Sequence, residues 1–219
     1  MSSTGNLEKF DFSAIEDFDK HISISIPNYN GLFEVFQKLA VDFTPMHGTL
    51  VDLGCSTGNF LSVLPKIPDT TYIGVDVVDF HGRRLGEYEF ICDDAIQFLK
   101  KTHRADVIVS MFFLQFLSKH QRAMVIRELN RLVKGGATLL LAEKTLIDDV
   151  KVNKSLHDLH LQKKRELFTD TEILDKEKQL ASSMFCLTSM EIERELDLIG
   201  STREQVWQSF GFKGWVIHE

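Results

Sequence analysis

Cysteine is scarce in this 219-residue sequence, with three in all. Cys55, Cys92 and Cys186 are odd in number and far apart, which excludes a paired disulfide framework, and no C-x-x-C pair offers a zinc site. The expectation is a reducing, cytoplasmic setting and no metal. No apolar run is long enough to cross a bilayer, and Met1 to Glu8 is polar, without the core of a secretory signal. Positive charge is in short supply: 25 Lys and Arg stand against 32 Asp and Glu, a formal net charge of -7. Bulk charge therefore excludes non-specific nucleic-acid binding, and any RNA contact requires a local basic patch. Repeats and low-complexity tracts are absent. So are the dinucleotide fingerprint G-x-G-x-x-G and the phosphate loop G-x-x-x-x-G-K-[ST]. No Ser-His-Asp or Cys-His nucleophile arrangement is evident.

What is present suits a soluble α/β chain: 43% hydrophobic and 26% charged residues. The length suits one domain over 1–219. Helical spacing over 12–42, interrupted at Pro27, predicts N-terminal helices within residues 1–45, the second running from Gly31 to Phe43. Strands are expected at Thr49–Leu53, Tyr72–Asp76, Tyr88–Asp94, Ala105–Ser110 and Ala137–Ala142. A short helix follows at Asn59–Leu64, and another spans Gln121–Val133, stopped by Gly135-Gly136. Residues 147–182 read as a helical insert, Met190–Ile199 as a helix, and the stretch from Gln205 to His218 as a closing hairpin. Strands alternating with helices predict a doubly wound, mostly parallel, seven-stranded Rossmann-like sheet ending in an antiparallel hairpin.

In such a sheet, ligands lie outside the carboxyl ends of the strands. Three features fall there. Asp52-Leu53-Gly54-Cys55-Ser56-Thr57-Gly58 is a strand followed by a glycine turn that lets the backbone approach a ligand. Asp76, about twenty residues on, ends the second strand, where an acid accepts ribose hydroxyls. Asp93-Asp94 follows the third strand, placed for an adenine edge. Each feature alone has an ordinary structural reading as a turn, a cap or a loop acid; the order and spacing together carry the inference. Because Gly54-x-x-x-Gly58 lacks the middle glycine for a pyrophosphate, a nucleoside without phosphates, such as S-adenosylmethionine, fits better than NAD.

The run Asp52-Leu53-Gly54-Cys55-Ser56-x-Gly58 resembles the first motif of class I S-adenosylmethionine-dependent methyltransferases. Ser25-Ile-Pro-Asn-Tyr29, Gly54-Cys-Ser-Thr-Gly58, Leu114-Gln-Phe-Leu117 and Gly135-Gly136 with Ala142-Glu-Lys144 are similar, more narrowly, to the carboxy-S-adenosylmethionine synthases of wobble-uridine tRNA modification. The likeness runs from about residue 11 to the C-terminus. It implies S-adenosylmethionine or its carboxy derivative as the cofactor and a transferase as the activity. The expected reaction is methyl transfer to a small molecule or tRNA. The alternatives are carboxy-S-adenosylmethionine synthesis from prephenate, or a binding protein without turnover. By the same likeness Tyr29 binds the methionine carboxylate, Gly54 and Ser56 line methionine and ribose, and Asp76 holds the ribose. Asp93 and the Asp94 backbone read adenine, and Asp52, Cys55, Gly58 and Val77 complete the cofactor set. The family's cofactor-floor asparagine falls at Met111. Its carboxylate-pairing arginine falls at Glu177, where an acid would repel a carboxylate; Lys178 is the nearest substitute, without the guanidinium fork. The segment between Asp76 and Asp93 is short for the family. The family also implies a homodimer, to which the 147–182 insert would contribute.

Among candidate substrate residues are Phe112 and Gln115; Phe112, Phe113 and Phe116 follow the fourth strand, where aromatic rings would pack beside a sulfonium or simply fill core. His160 would face substrate, although a solvated helix face is the ordinary reading. His157 and His160 lack further ligands for a metal. Lys163-Lys164-Arg165 reads first as a solvated face paired with Glu166 and Asp170, and second as an anion patch. Glu143 and Lys144 are either an internal ion pair or substrate-facing. Trp207 and Trp215 are expected to pack.

Overall fold

The computed structural model describes residues 22, 25–80 and 86–219. The first N-terminal helix and the segment at His81–Leu85 fall outside the described residues, or nearly so. The described chain runs α1 (Tyr29–Phe43), β1 (Thr49–Leu53), α2 (Asn59–Val63), β2 (Thr71–Asp76), β3 (Glu89–Cys92), α3 (Ala95–Lys101) and β4 (Val107–Met111). A single 3-10 turn at Leu114–Phe116 leads to α4 (Lys119–Lys134), β5 (Thr138–Leu146), α5 (Val150–Lys164), α6 (Asp170–Ala181), β6 (Leu187–Thr188), α7 (Ser189–Leu196), β7 (Thr202–Ser209) and β8 (Phe212–His218).

The strands order as β3-β2-β1-β4-β5-β8-β7, parallel through β5, with β8 antiparallel to both neighbours. The chain leaves β1 toward β2 and β3, then crosses back to β4, so the topological switch lies between β1 and β4. Seven strands form the expected path; two residues, β6, add an eighth alongside the end of β5. The fifth strand runs four residues beyond its expected end, because antiparallel pairing with β8 extends to Lys144↔Phe212. Helix α3 was not expected. Asp94 starts it by accepting from Ile96 and Gln97 N–H, a cap that seven residues of mixed polarity do not advertise.

Alternation along the strands builds two cores. Val51, Leu53, Ile108, Leu139 and Leu141 pack under α3, α4 and α7. Leu50, Val107, Val109, Leu140 and Ala142 pack under α1 and α2. Helix α1 buries Tyr29, Leu32, Phe36 and Ala40, one stripe at helical spacing, against Phe212 and Val216. By the same alternation Asp52 lies on the face of Leu50, beneath α1 and α2. The insert behaves differently: α6 buries no residue fully and α5 buries only His160. Those two helices lie on the sheet's carboxyl edge and are not part of its core. Trp215 is buried in the first core and Trp207 in the second, as packing residues.

Candidate functional site

The turn after β1 is left-handed in three places: Gly54, Ser56 and Gly58 have φ of 73°, 51° and 76°. Gly54 and Cys55 N–H both donate to Val75 O, at 2.8 and 3.1 Å, which lashes the turn to the end of β2. A β-carbon on Gly54 would stand 2.7 Å from Phe113 Cδ2, and one on Gly58 would overlap the Tyr88 hydroxyl. Glycine is thus required at both positions by aromatic neighbours as well as by φ. Tyr88 packs over Gly74 of β2 and donates to Thr57 O at 3.2 Å, covering strand surface beside the turn.

Ser56 has a left-handed backbone without being glycine, and its N–H explains how: it donates to Asp76 Oδ2 at 2.9 Å. Val78 N–H donates to Asp76 Oδ1 at 2.9 Å. Each carboxylate oxygen therefore keeps further acceptor capacity. Burial pushes the Asp76 carboxyl up, against the pull of these backbone donors. Asp52 is 3% exposed. Burial first and the Asp76 charge second push its carboxyl up to about 7. Its proton is therefore held in the folded state from the ordinary carboxylate range up to about pH 7. Stability falls as pH rises through that window, by roughly 2 kcal/mol between pH 5 and 8 from this group. Asp52→Asn should flatten that part of the pH–stability curve, a result that thermal unfolding at the two pH values would check. An unchanged slope would reject the buried-proton reading.

Farther along the edge, Asp93 Oδ1 accepts Asp94 N–H at 2.8 Å, and Asp93 Oδ2 meets Lys101 Nζ at 3.2 Å. The Asp94 side chain is committed to capping α3. Val77 is 72% exposed at the end of β2. Met111 ends β4, half-buried against the second core. Tyr29 stands at the start of α1, its ring 5.3 Å from Phe33, which meets Phe60 of α2 edge-on at 5.4 Å. Every residue expected to hold cofactor is thus at the carboxyl ends of β1–β4 or on α1 above them. They fit a nucleoside: Ser56 Oγ is buried with no hydrogen-bond partner among the described residues, and Asp76 has acceptor sites to spare.

A second group lies beyond β4. Phe112, in a left-handed conformation at φ 55°, donates its N–H to Ala142 O and meets Phe212 edge-on at 5.9 Å. Phe212 and Phe210 flank His160, each 5.8 Å away. His160 Nε2 lies 3.1 Å from Ser25 O, so it carries the proton and donates to that carbonyl. Burial first, then the charges of Lys164 and Lys144, lower His160 to about 4. His160 is therefore buried, contrary to its ordinary solvated reading.

Gln115 is a tie: its Oε1 accepts Lys144 N–H at 3.0 Å, its carbonyl accepts Phe185 N–H at 2.7 Å, and Nε2 meets Met184 Sδ at 3.3 Å. Lys178 does not join this group; it is exposed, 3.8 Å from Asp175. Glu143 pairs with Arg122 and not with Lys144, at 2.8 Å, and accepts Leu114 N–H at 3.1 Å. Of the basic run, Arg165 pairs with Asp170 as expected for a solvated face, whereas Lys164 is half-buried. Ser25, Phe210, Phe212 and Lys176 were not anticipated, since residues from the chain's two ends and the insert meet here with no spacing to announce them.

Among the described residues no group of three or more His, Cys, Asp or Glu is arranged to hold a metal, and no helix is long and apolar enough to cross a membrane.

A methyltransferase-domain family model matches residues 29–184. The carboxy-S-adenosyl-L-methionine synthase of Shewanella woodyi is 30% identical, over 95% of this chain and 91% of that protein. The one from Desulfotalea psychrophila is 26% identical, over 99% and 94%. Among solved structures, the PH0226 protein of Pyrococcus horikoshii aligns with a TM-score of 0.61 at 16% identity, over 96% of this chain and all of that one. An O-methyltransferase family protein of Burkholderia thailandensis aligns at 0.58 and 19% identity, over 85% of this chain and 55% of that one. The last two bear on the fold, which they share. With the sheet order, the glycine turn and Asp76 in place, the chain belongs to the methyltransferase-domain family and is an S-adenosylmethionine-dependent transferase.

Proposed function

We propose that the chain transfers a methyl group to an acceptor seated beside the Phe112–Phe212 wall, beneath α5 and α6. The observation that carries this is the placement of two groups on one sheet edge: Ser56 bound to Asp76, and the Phe112–Phe212–His160 ring cluster. When bound, S-adenosylmethionine supplies a methyl group already activated by a positive sulfur. The protein's part is alignment and exclusion of water. Asp76 would hold the ribose, Ser56 Oγ would give the cofactor a hydrogen bond, and Tyr29 would meet the methionine carboxylate. Asp93 would face the adenine side, with Val77 and Met111 lining the crevice and Gly54, Cys55 and Gly58 shaping it. Phe112 would offer an aromatic face to positive charge. His160, protonated on Nε2 and lowered to about 4, is a hydrogen-bond acceptor at Nδ1 and not a base at neutral pH. It orients an acceptor that brings its own nucleophile.

The second reading, carboxymethyl chemistry, is favoured by the names of the relatives. Against it stands Glu177 on α6, a carboxylate 3.9 Å from His157 where the resemblance calls for an arginine. The test is the mass of the molecule that copurifies, with turnover measured with and without prephenate. Unmodified cofactor and prephenate-independent release of S-adenosylhomocysteine are expected. The carboxy derivative or prephenate dependence would establish the second reading; no release with any acceptor, tRNA included, would leave a binding protein. The proposal includes a cytoplasmic setting, which the three free thiols support. It also includes a homodimer through the insert, whose exposed Val150, Val152, Leu159 and Leu174 support one.

A further inference from the structure

Residues 86–88 lie as a strap across α2 and end on the glycine turn. Gly86, left-handed at φ 73°, is so close to α2 that a β-carbon on it would stand 2.8 Å from Ser62 Cα. The Glu87 carbonyl accepts from Lys66 Nζ at 3.0 Å. Tyr88 then precedes β3, whose register against β2 pairs Ile73 with Glu89 and Gly74 with Phe90. Alternation in that register puts the Tyr88 ring on the face of β2 that carries Tyr72, Gly74 and Asp76. The ring occupies a slot made by two glycines. A β-carbon on Gly74 would stand 2.6 Å from Tyr88 Cε2, and one on Gly58 would stand 2.5 Å from Cε1, on the ring's other edge.

Gly74 sits in the middle of β2 without a positive φ, so its backbone does not call for glycine. Glycine inside a strand weakens it and marks a place where another group comes close. Here the close groups are the Tyr88 ring and Cys55 Sγ, the latter 2.9 Å from the same β-carbon position. The first half of the turn is fixed by β2: Gly54 and Cys55 N–H reach Val75 O, and Ser56 N–H reaches Asp76 Oδ2. The second half meets Tyr88, whose hydroxyl donates to Thr57 O at 3.2 Å and whose ring edge lies on Gly58. Ser56 falls between the two anchors, and its left-handed backbone is braced from both sides.

We infer that Tyr88 is a positioning residue for S-adenosylmethionine: its ring holds Thr57 and Gly58 so that Ser56 and Asp76 keep the arrangement that receives the nucleoside. This rests on the placement of the cofactor at Ser56 and Asp76 proposed above. Tyr88 acts through the turn and needs no contact with the cofactor itself. The ring supplies more of the hold than the hydroxyl, because it fills the slot between two glycines, whereas one neutral hydrogen bond contributes little net. A turn already in its binding shape loses none of the ligand's affinity to ordering.

The test is calorimetry of S-adenosylmethionine on the full chain, with the melting temperature recorded for each sample. Tyr88→Ala should weaken binding by about tenfold, and Tyr88→Phe, which keeps the ring, should stay within about threefold of the parent. Gly74→Ala fills the slot from the strand side and should also cost about tenfold. With the ring gone the added methyl has room, so the double variant should bind no more weakly than Tyr88→Ala alone. Tyr72→Phe controls for stability. Its hydroxyl, on the same face of β2, accepts Ile67 N–H at 2.8 Å, so the variant should melt lower while its affinity stays within about twofold. Unchanged affinity in Tyr88→Ala or Gly74→Ala, additive losses in the double variant, Tyr88→Phe as weak as Tyr88→Ala, or an equal loss in Tyr72→Phe would overturn the inference. Asp76→Ala, run alongside, separates two failures. If it loses affinity while the Tyr88 variants do not, the role of Tyr88 alone is rejected; if it binds like the parent, the cofactor placement falls and this inference with it. If Tyr88→Ala does not fold, Gly74→Ala decides.

Discussion

Asp76→Ala is expected to weaken S-adenosylmethionine binding by about a hundredfold, with a smaller loss of thermal stability. The carboxylate has two roles on one group. In the protein alone it accepts Ser56 and Val78 N–H, each at 2.9 Å, and so holds a serine in a left-handed conformation. Its remaining lone pairs are those a ribose diol would use. A hydrogen bond to a charged acceptor is worth about 1.5–3 kcal/mol, so losing the ribose contacts alone approaches two orders of magnitude in affinity. Removal also frees the Ser56 turn, which would let Ser56 leave its strained position and cost further affinity through disorder. Asp76→Asn separates these effects. Its amide keeps one oxygen for a backbone N–H but turns a donor toward the other, so binding should remain weak while the turn is partly kept. Calorimetry of the cofactor and melting temperature, measured on both variants, check this. Unchanged affinity in Asp76→Ala would mean that the nucleoside does not lie across the ends of β1 and β2.

The place of Asp76 at the end of β2 also shows what a sequence can reveal about position in the fold. It was legible because strand, glycine turn, strand and acid follow each other at a spacing imposed by the sheet, and the sheet then brings Leu53 beside Val75. Local patterns of that kind located β1, β2, α1, α4 and the hairpin to within a few residues. Helix α3 escaped because its start depends on the Asp94 side chain folding back on Ile96 and Gln97, and an acid after a strand reads equally well as a ligand contact. The cluster around His160 escaped for a different reason. Ser25, His160, Lys176 and Phe212 are joined by contacts across up to 151 positions, and no periodicity encodes such a meeting. Lys163 and Lys164 look alike in sequence, but the turn of α5 exposes one and half-buries the other. Glu143-Lys144 reads in sequence as either an internal ion pair or a substrate-facing pair. Alternation along β5 splits it, sending Glu143 to Arg122 on one face and Lys144 toward Phe212 on the other.

That split gives the Leu114–Leu117 segment its physical meaning, and it carries a large stability effect. Arg122→Met should lower stability by about 3–5 kcal/mol, because breaking a buried ion pair leaves its partner charge uncompensated. The corresponding fall in melting temperature is roughly 10 °C for a chain of this length. Arg122 and Glu143 are 4% and 2% exposed, and Arg122 also meets Glu195 at 2.6 Å, so one guanidinium from α4 joins β5 to α7. Glu143 in turn accepts Leu114 N–H, fixing the turn that carries Phe112 and Gln115.

Burial pushes Glu143 up to about 7, with Arg122 and the Leu114 N–H holding it down. Without Arg122 its carboxyl rises further above the ordinary value, so the folded variant binds more protons than its unfolded chain over a wider range. Its stability should therefore fall more steeply than the parent's as pH rises from about 5 to 8, and the deficit should be smallest at the acid end. Adding Glu143→Leu removes the orphaned charge and should restore most of the loss. The exception is about 1 kcal/mol for the Leu114 N–H left without its acceptor. Glu195, 18% exposed, can turn to water. Denaturant titrations of the single and double variants at the two pH values check this. A single-variant loss below about 1 kcal/mol, or one that does not change with pH, would show that Arg122 is solvated and that Glu143 holds the turn alone.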